Sequence, residues 1–463
     1  MARVRSFPDS NMQVEIRIQP EITGQKILGF GGSFTQASAA VLQELSAENR
    51  KKVLEAYFGD NGSRYSLTRT HINSCDFSTY NYCYAPVSGD KNLESFSIEE
   101  DKKHLIPLIK DAAKVSINGF KIIASPWTAP PWMKDNNDWR GGKLLPEYQK
   151  TWAQYFSKYI EAYQSEGIDI SAITVNNEPL GNDENWESMH FTPEEMNHFV
   201  LNALGPELRE KHPEVSILGY DQNRDDELLE WADAMYDNPE ALSFFDGTAV
   251  HWYGSTFYAF PEHLRYVSEK APEKLLIQTE ACIDAEVPRW QDDAWYWTDE
   301  AKDWGYTWAP ENKKHLHPKY APVFRYANDI IDCLNNGVHG WIDWNLILNR
   351  QGGPNWAKNW CIAPIIADTD KDEIYLTPLY FVIQHFSKFI RPDAIQIQTK
   401  FSNVDGLNAV SVQNPDGSIV LVLSNKGDRN KKIILHLNDA EMSFCIRARA
   451  VQTVLISRTL EIQ

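Results

Sequence analysis

A chain of 463 residues with 43% hydrophobic and 24% charged residues has the balance of a folded enzyme and excludes a disordered protein. A formal charge of −19 repels nucleic-acid backbones and anionic membrane surfaces alike, which leaves a neutral ligand as the best fit. The length exceeds a minimal domain and suits one large α/β barrel with a smaller partner.

The N-terminus, Met1-Ala2-Arg3-Val4-Arg5, leads straight into polar sequence, with no apolar stretch of signal-peptide length. Further along, no segment is long enough to span a bilayer. As written the chain reads as cytoplasmic, or as secreted or periplasmic if a signal has been removed. Val14-Glu15-Ile16-Arg17-Ile18 alternates as a half-buried strand does. From about residue 26 to residue 345, short apolar runs alternate with amphipathic helical stretches, the pattern of a parallel sheet with crossover helices. Eight runs stand out: Lys26 to Gly31, Tyr65 to His71, Phe120 to Ser125, Ile173 to Asn176, Val215 to Tyr220, Thr248 to Trp252, Leu275 to Glu280 and Gly340 to Asn345. Between them, Ser97 with Glu100 and Thr192 with Glu195 each carry a capping-box signature, and Pro193 suits a first helical position. Tyr148, Trp152, Tyr155, Phe156, Tyr159, Ile160 and Tyr163 recur at helical spacing and draw one apolar stripe. The segment from Ile283 to Lys319 is long for a strand-to-helix connection. It carries Trp290, Trp295, Trp297, Trp304 and Trp308, which suit either a subsite wall or a subunit contact. Beyond the eighth run, Ala409 to Val412, the turn Asn414-Pro415-Asp416-Gly417, Ile419 to Leu423, Ile433 to Leu437 and Val451 to Ile456 read as β. The expectation is an α/β protein: a (β/α)8 barrel over residues 26–390, with a β-sandwich assembled from residues 1–25 and 391–463.

In such a barrel the active site lies at the C-terminal ends of the strands, and that rule singles out a set of residues. Glu178 follows the fourth run and Glu280 ends the seventh; Arg69 and Asp76 lie at or just after the end of the second. Trp127 follows the third run, His251 and Tyr253 lie at the end of the sixth, and Trp344 lies at the end of the eighth, next to Asn345. Cleaving a glycosidic bond takes one carboxylic acid to protonate the leaving oxygen and a second carboxylate on the opposite face of the sugar. In retaining enzymes the two stand about 5–5.5 Å apart. Strands four and seven lie on roughly opposite sides of an eight-stranded barrel, so Glu178 and Glu280 can span a sugar. Arg69 and Tyr253 are suited to hold Glu280 ionised, which makes it the nucleophile and leaves Glu178 as acid/base. Asn177 is suited to donate to a sugar 2-hydroxyl, Asp76 to accept from two adjacent hydroxyls, and His251 to hydrogen-bond at its strand end. Trp127, in the rigid loop Ser125-Pro126-Trp127-Thr128-Ala129-Pro130-Pro131-Trp132, and Trp344 suit sugar platforms or core packing equally. The six cysteines include no CxxC pair, so neither a zinc site nor a disulfide framework is suggested.

Gly29-Phe30-Gly31-Gly32-Ser33-Phe34-Thr35, Ser74-Cys75-Asp76-Phe77-Ser78, Ser125-Pro126-Trp127-Thr128, Asn177-Glu178-Pro179, His251-Trp252-Tyr253, Thr279-Glu280 and Trp344-Asn345-Leu346, followed by Gly352-Gly353-Pro354-Asn355, together resemble glycoside hydrolase family 30. That family holds glucosylceramidases, β-glucosidases, β-xylosidases and endo-β-1,6-glucanases. The ordered motifs run from about residue 26 to His385-Phe386-Ser387-Lys388-Phe389 and cover most of the chain. The resemblance implies a (β/α)8 barrel with an attached β-sandwich, retention of configuration, no metal and no cofactor. It also implies a neutral β-glucoside, β-glucan oligosaccharide or glycolipid as substrate. It makes Glu178 the acid/base and Glu280 the nucleophile, and sets Asp76, Trp127, Asn177, Tyr253 and Trp344 around the −1 sugar, with Asn359 as a further polar contact. The stretch Asn177 to Leu204 is more similar to the bacterial and fungal β-1,6-glucanase or β-glucosidase branch than to the animal lysosomal enzyme. Asp393 stands where the family usually has glycine. The expected activity is a retaining β-glycosidase, and the competing reading is a non-catalytic sugar-binding protein on the same fold. These residues do not set the aglycone, the linkage or the oligomeric state.

Overall fold

The computed structural model describes residues 13–255, 258–284, 321–359, 361–402 and 404–457. Of the long tryptophan-bearing connection, Ile283 and Asp284 alone belong to these; its five tryptophans lie outside the described residues.

Eight parallel strands close a barrel in chain order: Gly29–Phe34, Leu67–Ile72, Lys121–Pro126, Ala172–Thr174, Ser216–Asn223, Gly247–His251, Leu275–Glu280 and Gly340–Asp343. Each overlaps the apolar run expected from sequence, and the eighth pairs with both the seventh and the first to complete the ring. Closure presses the first two strands together, and a Cβ on Gly31 would lie 1.7 Å from the Leu67 carbonyl oxygen. A glycine-rich first strand is the consequence.

Alternation along the strands stacks two unlike layers inside the barrel. Leu67, Ile123, Ala172, Leu218, Ala249, Ile277 and Ile342 form an apolar plug. Two residues further along their strands come Arg69, Ser125, Thr174, His251 and Thr279, all buried. The polar groups therefore stand on an apolar floor, at the C-terminal end of the barrel.

Around the barrel, the helix Gln149–Ser165 buries Trp152, Tyr155, Phe156, Tyr159, Ile160 and Tyr163 as its spacing required. The capping box at Thr192 forms, with Thr192 Oγ1 accepting from Glu195 N at 3.2 Å and Glu195 Oε2 accepting from Thr192 N at 2.8 Å. The box expected at Ser97 does not. Ser97 Oγ accepts from Glu99 N, Glu100 pairs with Lys103, and the helix begins only at Leu105, spanning Leu105–Val115. Pro107 supplies the reason: lacking an N–H, it is tolerated in a first turn but would break a helix begun near Ser97.

The second unit is one continuous sheet of seven strands in the order Ala440–Ile446, Lys431–Leu437, Gln13–Lys26, Ile395–Phe401, Leu407–Gln413, Ile419–Asn425 and Ala450–Ile456. The N-terminal strand runs parallel to Lys431–Leu437 and antiparallel to Ile395–Phe401, so both ends of the chain build it. Val14, Ile16 and Ile18 join Leu421, Leu423, Ile433 and Leu435 in the sheet's own core. Val410, Val412, Val420 and Val422 face the other way and belong to the barrel's core. Two apolar faces explain why these central strands read as nearly unbroken hydrophobic runs. Asn408 Nδ2 donates to Asp332 Oδ1 at 2.8 Å and Thr453 Oγ1 to the His385 carbonyl at 2.9 Å, tying the sheet to the helices Ala321–Asn335 and Pro378–Ser387. At the junction Asp393 has φ 67°, the left-handed backbone that makes glycine usual there. Among the described residues no helix is long and apolar enough to cross a membrane.

Candidate active site

The polar layer of the barrel is one hydrogen-bonded network around Arg69 and Asp221, an ion pair with no side-chain exposure. Arg69 Nη2 donates to Asp221 Oδ2 at 2.7 Å and to Asn177 Oδ1 at 2.8 Å, and Nε donates to Ser125 Oγ at 3.0 Å. Its Nη1 donates to Glu280 Oε2. Asp221 also accepts from Thr174 Oγ1 and Thr279 Oγ1, each at 2.7 Å, and from His251 Nε2 at 3.0 Å. Burial pushes the Asp221 carboxyl up, but the Arg69 charge and the His251 and Thr174 bonds outweigh it and hold Asp221 well below the usual range.

Local backbone irregularities aim the two glutamates. Glu178 leaves the fourth strand at φ 47°, with its N–H donating to the Asp221 carbonyl at 2.9 Å and its own carbonyl accepting from Gly181 N at 2.8 Å. A left-handed conformation costs a non-glycine residue about 1–2 kcal/mol, so this turn is held by its surroundings. It brings Glu178 Oε1 to 3.3 Å from His251 Nδ1. On the seventh strand a register shift pairs His251 with Glu280 after Val250 pairs with Gln278, which brings Glu280 as well as Thr279 to the interior. Tyr253 OH then donates to Glu280 Oε1 at 3.0 Å.

The expected partners of Glu280, Arg69 and Tyr253, are thus in place. Arg69 lowers the Glu280 carboxyl as expected, but burial raises it more than the His251 and Arg69 charges lower it, and Glu178 adds to the rise. Glu280 ionises at higher pH than an exposed glutamate. Burial alone would lower His251, yet the Glu280 charge and the bonds to Asp221 and Glu178 outweigh it and raise the imidazole to about 9. His251 is accordingly a cation, with Nε2 3.0 Å from Asp221 Oδ1 and Nδ1 3.3 Å from Glu178 Oε1. One donor atom each of Glu178, His251 and Glu280 lies within 4.8 Å of the others, a spacing a metal ion could also use. Both ring nitrogens of His251 are already engaged, Nδ1 with Glu178 and Nε2 with Asp221.

Among the remaining expected residues, Asn177 spends its amide oxygen on Arg69, which leaves its NH2 group for a ligand. Trp127 and Trp344 stack on each other with centroids 5.3 Å apart and planes at 23°, while the Arg69 guanidinium lies over both rings. They are only 2% and 1% exposed. Asp76 is buried, accepts from Asn359 Nδ2 at 3.1 Å through Oδ2, and among the described residues leaves Oδ1 without a partner. Burial and the charges of Glu280 and Glu187 raise the Asp76 carboxyl well above its ordinary value. An orphaned buried acceptor beside Glu280 and Glu178 is what a sugar hydroxyl would satisfy.

Two buried carboxylates at the site went unseen in the sequence. Asp221 lies one residue beyond the fifth apolar run. A bulge between Tyr220 and Gln222, with φ 72° at Tyr220 and 58° at Asp221, swings Asp221 inward where strict alternation would put Tyr220. Tyr220 instead packs outside the barrel against Trp231. Glu187 sits in a loop without periodicity, and its single signal is its position shortly after Glu178. Cys282, with Sγ 3.3 Å from Tyr253 OH, stands 3.1 Å from Cys361 Sγ.

A closed eight-stranded barrel with paired carboxylates at its C-terminal end is the architecture of a glycoside hydrolase. Residues 27–390 match the glycosyl hydrolase family 30 TIM-barrel domain and residues 393–454 the family 30 beta sandwich domain. The chain belongs to glycosyl hydrolase family 30 and is an enzyme whose substrates are glycans or glycolipids. It is 35% identical to the lysosomal acid glucosylceramidase of Mus musculus over 440 residues, 93% of this chain and 80% of that protein. It is 25% identical to an endo-1,6-beta-D-glucanase of Trichoderma harzianum over 437 residues, 89% of this chain and 80% of that protein. The crystal structure of SrfJ from Salmonella typhimurium superposes with a TM-score of 0.84 at 31% identity, over 98% of this chain and 94% of that one. Over the whole chain the glucosylceramidase is the more similar of these two relatives.

Proposed function

We propose that the enzyme is a retaining β-glycosidase that cleaves β-glucosidic bonds by double displacement, with Glu280 as nucleophile and Glu178 as acid/base. The observation that carries this is the close approach of the two side chains, with one carboxyl oxygen of each within 4.8 Å of the other. An inverting pair needs about 6.5–9.5 Å to admit a water between its members. In the first step a Glu280 oxygen attacks the anomeric carbon while Glu178 gives its proton to the leaving oxygen. In the second, Glu178 takes a proton from water, which displaces Glu280 and restores the β configuration. Arg69, Tyr253 and the His251 cation offset the negative charge that Glu280 carries before attack and regains on release. Asn177 and the Asp76–Asn359 pair are assigned to the sugar hydroxyls. A neutral glucoside suits a chain of charge −19, and the 35% identity to a glucosylceramidase favours a single β-glucosyl unit on an apolar aglycone.

Replacing Glu178 by Gln tests the roles. Glu178→Gln should lose activity at least about a thousandfold on β-glucosides with poor leaving groups, yet keep glycosylation by activated aryl β-glucosides. Unchanged turnover of the poor substrates would remove Glu178 from the mechanism. Sugar binding by the wild type without any hydrolysis would favour the non-catalytic reading instead.

A further inference from the structure

Beside the proposed sugar site lies a second buried acid that the chemistry does not use. Glu187 is 1% exposed. Its Oε1 accepts from Ser74 Oγ and Asn81 Nδ2, each at 2.7 Å, and both of its oxygens accept from Trp356 Nε1, at 3.0 and 3.1 Å. Those donors come from two other segments. Ser74 and Asn81 belong to the loop after the second strand, which carries Asp76. Trp356 belongs to the loop after the eighth strand, which carries Asn359, and its Nε1 also donates to the Cys75 carbonyl at 3.1 Å. Glu187 itself lies in the loop that follows Glu178. Next to it, Lys134 Nζ donates to the Ser188 carbonyl at 3.0 Å and the Gly141 carbonyl at 2.7 Å, fixing the other side of the same loop.

We infer that Glu187 is a positioning residue for sugar binding: it clamps the loops of Asp76 and Asn359 to the loop of Glu178 and so sets the Asp76–Asn359 pair against the catalytic glutamates. The inference rests on the proposed glycosidase chemistry and deepens it. Three donors converge on one buried carboxylate, and a carboxylate that merely filled space would not sit without exposure among donors from two other loops. Asp76 depends on this clamp most directly. It is two residues from Ser74, Cys75 lies between them, and Trp356 grips the Cys75 carbonyl.

The test is a double-mutant cycle on the full chain, with KM and kcat for an aryl β-glucoside and the thermal midpoint of every variant. Glu187→Ala should raise KM about tenfold or more while kcat falls less, and Glu187→Gln, which keeps an acceptor oxygen for Ser74 and Asn81, should restore most of the loss. In an Asp76→Ala background, Glu187→Ala should add little further loss in kcat/KM, because its effect is exerted through Asp76. A lowered midpoint with unchanged KM, or losses that multiply fully in the double variant, would overturn the inference. Neither result would touch the roles of Glu178 and Glu280, whereas an inactive wild type would remove the chemistry on which the inference rests.

Discussion

At the scale of single residues, the site works by unequal compensation of buried charge. Asp221 and Glu280 share Arg69, but Asp221 is ringed by two threonine hydroxyls and the His251 cation as well. The His251 charge reaches Glu280 too, but among the described residues Glu280 accepts from a single hydroxyl, that of Tyr253, and has Glu178 beside it. Burial therefore wins at Glu280 and loses at Asp221, and a permanently ionised residue anchors the cations while a titratable one faces the substrate. The direction of the Glu280 shift has a kinetic sign. A nucleophile must be deprotonated, and a raised value keeps its proton on to higher pH, so activity falls as pH drops through a point above the ordinary 4.5. The acid limb of kcat/KM for an aryl β-glucoside should lie above that value and should persist in Asp76→Asn, since Asp76 is raised as well. A limb at or below 4.5 would contradict the burial argument. Arg69, Asn177, Glu178, His251, Tyr253 and Glu280 stood out because each lies at or just after the end of an apolar run, and strand ends are where a barrel does its chemistry. Asp221 escaped because a bulge displaced it by one position, and no period-two reading contains a bulge.

At the scale of elements, periodic segments declared themselves and irregular ones did not. All eight barrel strands, the aromatic helix Gln149–Ser165 and the Thr192 capping box follow from spacing alone. The helix expected near Ser97 failed on a competing signal within the same sequence, Pro107, which outweighs a capping motif because a proline in mid-helix costs about 3 kcal/mol and a cap contributes about 1. The N-terminal strand offers a direct check of alternation. Ile16 has no exposure and stands in the sheet core, whereas Glu15 beside it is exposed. Ile16→Ala should destabilise the protein by about 2–5 kcal/mol in urea unfolding, while Glu15→Ala should stay within about 0.5 kcal/mol. Comparable effects of the two substitutions would mean that the first strand does not point Ile16 inward and Glu15 outward.

At the scale of the whole molecule, the barrel supplies an apolar floor, a polar network above it and loops that close over both, while the seven-stranded sheet braces two of the outer helices from behind. The division of labour explains what sequence could and could not convey. Chemistry sits on strand ends with fixed geometry, so Glu178 and Glu280 are legible as partners from their places in the chain. Trp127 and Trp344 were equally visible but ambiguous, since an indole reads the same whether it meets a sugar or another indole; in the folded chain they meet each other. Glu187 joins three loops whose contacts exist only in the folded chain, and no local pattern announces it. The central claim is that Glu280 becomes covalently bound to the sugar. Incubating the enzyme with an activated 2-deoxy-2-fluoro-β-glucoside, which slows release of the glycosyl-enzyme, and mapping the adduct by peptide mass spectrometry tests it most directly. One fluoroglucosyl group on Glu280 is the predicted result; an adduct on another residue, or α-glucose as the first product released from an ordinary β-glucoside, would contradict it.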